Sequence, residues 1–136
     1  MRIFRLIYCS RAKKVLNFDD VKDLAKESMQ KNEAKAISGI LLYSNNQFFQ
    51  SIEGSQEEVN ELYLKISQDQ RHGSIKLLYY EQVNERLFPS WNMGLVQTEP
   101  SQDLINRYFE HCKFVPNLLS PSQAENFLYE LKEMFF

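Results

Sequence analysis

Two periodicities alternate along the chain. Residues 2–9, Arg-Ile-Phe-Arg-Leu-Ile-Tyr-Cys, are mostly β-branched, aromatic or apolar, the composition of a buried central strand. The period then changes. Val21, Leu24, Ala25 and Ser28 recur at i, i+3, i+4 and i+7, one face of a helix, with Asn17 as N-cap and Asp19 and Asp20 in the first turn. That helix is expected to end near Lys31-Asn32, because Asn tolerates helix C-terminal geometry. Strands follow at 36–43 and 48–54, joined by the hairpin turn Ser44-Asn45-Asn46-Gln47. Gly39, inside the first of them, marks a bulge or a close approach by another group. Ser55 and Glu58 read as a capping box, and Val59, Leu62, Tyr63 and Ile66 as a second helical stripe running to about Asp69. Arg71-His72-Gly73 is the exit turn into a fourth strand, 74–83, and 92–97 is a short fifth, introduced by the single Trp, Trp91. Ser101 caps a third helix with the stripe Leu104, Ile105, Tyr108, Phe109 and Cys112. Ser120, Pro121 and Gln123 fill the N-cap, N1 and N3 positions of a fourth. From it Ala124, Phe127, Leu128, Leu131, Met134 and Phe135 face inward or toward a partner, and the apolar end Phe135-Phe136 suits docking better than fraying.

The order is βαββαββαα. Its first six elements are those of the split βαβ, so the expected class is α+β with a ferredoxin-like βαββαββ sheet. Right-handed crossovers put helices 1 and 2 on one face, and the two C-terminal helices cover the other, giving three layers. Residues 98–136 then form a helical extension packed on the sheet of residues 1–97. Tyr8 and Gln50 fall on adjacent central strands, facing Leu24, Ser28 and Ile66, with room for a flat ligand between the two helices.

Composition narrows the function. The chain has 136 residues, 43% hydrophobic and 25% charged, which suits one globular domain with a proper core. A net charge of −2 weighs against a dedicated nucleic-acid binder. Arg11-Ala12-Lys13-Lys14 reads as a solvated basic loop. Cys9 and Cys112 match no metal or redox spacing, and Cys9 reads as a buried thiol rather than a nucleophile. Two histidines exclude a His-rich metal site. No apolar run has membrane-spanning length and the N-terminus lacks a signal-peptide core, so a cytoplasmic protein is expected.

One residue resists the pattern. In 48–54, Phe48, Gln50 and Ile52 share a face while Phe49 and Ser51 point the other way. An amide left unsatisfied in a dry core costs about 1–3 kcal/mol. Taken alone, the strand favours Gln50 facing water at a sheet edge, Tyr8 as a core tyrosine bonded to backbone, and Trp91 as an ordinary anchor.

Six pieces in order change that reading: Arg5-Leu6-Ile7-Tyr8, Asn32, Ile37–Tyr43, Phe48–Gly54, Asp69-Gln70-Arg71-His72 and Trp91-Asn92-Met93. Together, over roughly residues 1–97, they resemble the BLUF family of blue-light sensors that use flavin. The resemblance implies an FAD, or FMN, held non-covalently between helices 1 and 2. It implies Tyr8 as electron and proton donor, Gln50 between Tyr8 and the flavin edge, and Asn32 on the pyrimidine edge. Leu24 and Ile66 sandwich the ring with Ser28 beside it. Asp69, Arg71 and His72 stand close to the flavin, with Lys65 within reach of an oxygen of the cofactor, and Trp91 and Met93 are the switching residues on strand five. Lys31, Lys65 and Asn92 depart from residues common in the family; Lys65 lacks the planar fork of an Arg, and Asn92 bears on the hydrogen bonding around Met93. Residues 98–136 suffice only for two helices. The expectation is therefore a stand-alone photoreceptor, not an enzyme, which signals through a partner protein or a change of homo-oligomer, with no direct nucleic-acid or membrane binding. Two rivals remain: a flavin-dependent oxidoreductase, for which no acid–base constellation is evident, and a flavin-free ferredoxin-like regulatory binding module.

Overall fold

A computed structural model describes residues 2–136. Strand β1 (Ile3–Ala12) is followed by helix α1 (Phe18–Ala34), β2 (Ser38–Ser44), β3 (Gln47–Gly54), α2 (Gln56–Ser67), β4 (His72–Val83), β5 (Gly94–Leu95), α3 (Gln102–Tyr108) and α4 (Pro121–Phe135). The strands lie in the order β4-β1-β3-β2-β5. Strands β1 to β4 pair antiparallel and β5 joins β2 in parallel, so the ferredoxin-like order carries one added edge strand.

The sheet separates two cores. Leu6, Tyr8, Leu41, Phe48 and Ile52 pack with Val21 and Ala25 of α1 and Val59 of α2. On the other face Ile7, Cys9, Ile40 and Phe49 pack with Leu104 and Ile105 of α3 and Phe127, Leu128 and Leu131 of α4. Alternation along each strand produces this division directly, and it gives the three layers expected.

Several boundaries differ from the sequence reading, each for a visible reason. Helix α1 passes Asn32 because its stop lies at Ala36. Ala36 has φ 53°, its N–H donates to Glu33 O and that of Ile37 donates to Asn32 O. These are the two bonds of a Schellman ending, so Asn32 sits inside the last turn, buried. Arg11 and Ala12 belong to β1, not to a loop, since they pair with Gly73 and His72. His72 therefore opens β4 rather than closing a turn. The hairpin turn is two residues, Asn45 and Asn46, at φ 51° and 58°, the positive-φ turn that Asn favours. Ser55 caps α2 through Glu58 N–H, but the reciprocal half of the box is not made. Helix α3 stops at Tyr108, leaving Cys112 exposed. On α4 Met134 faces outward.

Strand β5 keeps two residues of the six expected. Trp91 O accepts from Gly39 N–H at 2.8 Å, and Asn92 Nδ2 donates to Ile37 O at 3.0 Å. A side-chain bond thus replaces a ladder bond, and Trp91 and Met93 lie in the approach to β5 rather than within it.

Candidate functional site

Tyr8 and Gln50 face each other across β1 and β3, and both point toward α1 and α2. The Tyr8 hydroxyl donates to Gln50 Oε1. At the other end of the amide, Gln50 Nε2 donates to Met93 Sδ at 3.1 Å. All three residues are buried. The amide is thereby oriented: oxygen to the phenol, nitrogen to the thioether, which offers only a weak acceptor. Burial pushes the Tyr8 phenol well above its ordinary value, with the charges of Tyr63 and Asp69 adding to the shift. The phenol holds its proton firmly.

This chain of bonds borders a cavity of about 530 Å³, within the range of small-molecule sites. Leu24 lines it from α1 and Ile66 from α2, while Leu41 and Phe48 line it from the sheet beside Tyr8 and Gln50. Ser28 and Asn32 add polar groups from α1. Asn32 is already engaged on one side, its Nδ2 donating to Asn92 O at 2.9 Å, so the same residue ties α1 to the approach to β5. The Asn92 side chain is used in its own bond to Ile37 O, whereas the bond from Asn32 meets its backbone carbonyl.

His72 lines the cavity with both ring nitrogens occupied. Nε2 lies 2.7 Å from Ile66 O and Nδ1 lies 2.7 Å from Ser10 Oγ. A carbonyl only accepts, so Nε2 carries a hydrogen, and in the neutral ring Nδ1 accepts from Ser10. The ring packs against Tyr8 and Phe48, making His72 a wall that fixes the start of β4 to the end of α2. Arg71 stands at the mouth, its Nε 3.0 Å from both oxygens of Asp69 and its Nη1 3.5 Å from Glu27. The guanidinium bond holds Asp69 down, to about 2. Lys31 pairs with Glu27 at 3.2 Å on the surface.

Nine of the residues singled out from the sequence border the cavity: Tyr8, Leu24, Ser28, Asn32, Gln50, Ile66 and Asp69, with Arg71 and His72 completing the mouth and wall. Met93 meets it through Gln50. Lys65 is exposed and does not border it, nor does Trp91, which is half exposed with its ring 5.2 Å from that of Phe136. Leu41, Phe48, Leu62, Lys13 and Lys14 also line the space. Leu41 and Phe48 were within reach of the sequence, since Phe48 alternates with Gln50 and Leu41 pairs with it. Lys13 and Lys14 read as a solvated loop because nothing in a short basic run says what it overhangs.

The arrangement fits a flavin. Apolar side chains from two helices can flank a flat ring, two carboxamides offer reversible donors and acceptors to a polar edge, and the mouth is charged.

Comparison with known proteins agrees. The family model BLUF, "Sensors of blue-light using FAD", matches residues 3–94. The chain is 30% identical over 109 residues to the photoactivated adenylate cyclase subunit beta of Euglena gracilis, a match covering 75% of this chain but 13% of that subunit. It is 35% identical to the BlsA ground-state structure, with a TM-score of 0.84 over 96% of this chain and 87% of that one. Against the photo-activated state of BlsA the identity is 34% and the TM-score 0.85, over 96% and 94% of the two chains.

Proposed function

We propose a working for this site from one premise: the chain belongs to the BLUF family, sensors of blue light using FAD. It is a blue-light photoreceptor with a flavin cofactor. The BLUF unit is a sensor and not an enzyme; the chain spans 13% of the length of the Euglena cyclase subunit it matches.

When bound, the flavin supplies the absorption of blue light and an electron acceptor. Leu24 and Ile66 would flank it, with Ser28 beside it, and Asn32 and Gln50 would bond its polar edge. Asp69, Arg71, His72 and Lys65 would stand along its outer side. FAD is the cofactor expected, with FMN an alternative. Tyr8 gives up an electron and, along its bond to Gln50 Oε1, the proton on Oη. A phenol held far above its ordinary pKa by burial keeps that proton until the electron leaves, so proton and electron move together. Gln50 would then change its donor and acceptor ends, Tyr8 would recover its electron and proton, and the Nε2–H···Sδ bond to Met93 would be lost or exchanged. What remains is an altered hydrogen-bond network with no substrate consumed.

The observation that carries this reading is the unbroken chain Tyr8–Gln50–Met93 at the edge of the cavity. Absorption spectra before and after blue light test it. The wild-type protein should be yellow and shift reversibly to the red. Tyr8→Phe should keep the flavin and lose the shift; a normal shift in that variant overturns the role given to Tyr8.

The signal leaves, in this reading, through Met93, β5 and the C-terminal helices, to a partner protein or a change in self-assembly. Residues 1–97 form the sensing unit and 98–136 its output layer. No helix among the described residues is long and apolar enough to cross a membrane, and we take the protein to be cytoplasmic, binding neither nucleic acid nor membrane directly.

A further inference from the structure

A second polar cluster lies beside the sheet, apart from the cavity. Glu53, near the end of β3, is fully buried, yet its carboxylate is surrounded by donors. Arg5 Nε lies at 2.9 Å, Leu87 N–H at 2.9 and 3.0 Å from the two oxygens, and Phe88 N–H at 3.0 Å. The Glu53 carbonyl also accepts from Arg86 Nη1 at 3.1 Å. Arg5, equally buried on β1, reaches the opposite way. Its Nη1 lies 3.3 Å from Glu125 Oε2 and 3.4 Å from Tyr129 Oη on α4, and its guanidinium is 5.7 Å from the Tyr129 ring centre.

One carboxylate thus fastens the start of the segment that carries Trp91 and Met93, while its counter-ion touches α4. The rest of that segment is pinned as well. Trp91 N–H donates to Phe88 O at 3.2 Å and Trp91 O accepts from Gly39. Asn92 is held by Asn32 and Ile37, and the next residue is Met93, on Gln50. A buried ion pair is weak evidence for stability, since apolar residues of similar volume often serve as well. A carboxylate does what they cannot: it accepts from two successive backbone N–H groups and a guanidinium at once, fixing where a loop begins.

We propose that Glu53 is a positioning residue for the photochemical site, setting the 87–93 segment so that Met93 meets Gln50 and, through Arg5, linking that contact to Glu125 and Tyr129 on α4. The inference rests on the roles given above to Gln50 and Met93. A carboxamide at position 53 has one acceptor oxygen and turns an NH₂ toward donors. A change on α4 reaches the flavin site by the same path, and the linkage runs equally in both directions.

The test uses the flavin-loaded protein in the dark and after light. In Glu53→Gln the side-chain NH₂ resonances of Gln50 should move and the amides of Leu87 and Phe88 should exchange faster. Thermal return from the lit state should change by about two- to thirtyfold, the span that substitutions along a coupling network produce. The double variant Glu125→Gln/Tyr129→Phe lies on α4, away from the cavity, and should move the same readouts with flavin affinity unchanged. A merely structural role lowers the thermal midpoint while leaving the Gln50 resonances and the return rate at wild-type values, and that result overturns the proposal. If Glu53→Gln does not fold, the double variant decides alone. Should the wild-type protein switch normally and the variants match it, the positioning role falls by itself. Should the wild-type protein fail to switch while the variants still move the Gln50 resonances, the photochemical reading falls and the positioning role stands.

Discussion

At Gly39 a single backbone atom dictates the residue type. A Cβ there would stand 1.9 Å from Ser51 O in the neighbouring strand, and backbone in mid-sheet cannot step aside. Gly39→Ala should therefore lower the unfolding free energy by about 3 kcal/mol, the upper part of the usual cost of overpacking, measured by urea titration; an unchanged midpoint would show that β2 and β3 separate freely. The sequence announced this glycine as a close approach but not against what. Gln50 was harder. Period two placed it on an apolar face and raised the question of its partners, yet a strand in isolation favoured water. Its partners come from β1 and from the approach to β5, elements 42 and 43 residues away in the chain, and no local pattern reaches that far. Asn32 was legible as an asparagine near a helix end and misread as the end itself. The stop is an alanine at positive φ, a position where Ala is uncommon.

Among the strands, β5 is the shortest. Two residue pairs hold it to β2, whereas β1 pairs with β3 through eight. Phe136, just after α4, packs over this edge: its ring centre lies 5.2 Å from that of Trp91 and 5.6 Å from that of Phe88, and its Cε1 occupies the space beside Gly94. The apolar C-terminal pair was readable as a docking element, but not its target, because the approach to β5 carries little periodicity of its own. Trp91 is the only tryptophan, so its fluorescence reports this contact alone. Phe136→Ala should shift its emission to the red and raise its quenching by acrylamide. An emission spectrum identical to wild type would mean that the ring contact is not populated in solution.

For the whole molecule, the C-terminal helices belong to the core rather than decorate it. Phe127 is fully buried, with its ring 5.3 Å from Phe49, 5.7 Å from Phe109 and 6.0 Å from Phe114. Phe127→Ala should cost about 3–5 kcal/mol, the range for deleting a buried phenylalanine. In denaturant, helical signal and flavin binding should then be lost in one shared transition. Two separated transitions would show that the flavin-binding layer stands without the C-terminal helices. This architecture was largely open to sequence reasoning, because helical stripes and strand alternation specify which faces are apolar, and a bare sheet face demands a cover. The cavity was less open. Its two flanking helices were visible, but its floor depends on strand register and the place of Lys13 and Lys14 on its rim on where a loop happens to fold.

The amide of Gln50 is held by two unequal neighbours, and that inequality acts as a clock. Facing the phenol, its oxygen accepts a hydrogen bond; facing the thioether, its nitrogen donates one. Turned end for end, the carbonyl would meet a sulfur that has no hydrogen to give. The reversed amide would therefore lose its bond to Met93, which favours the way back. In the mechanism proposed above, resetting would need no fuel and no enzyme. On that reading the duration of the message would be set by a barrier inside the protein, and whatever holds Met93 in place would set the hands.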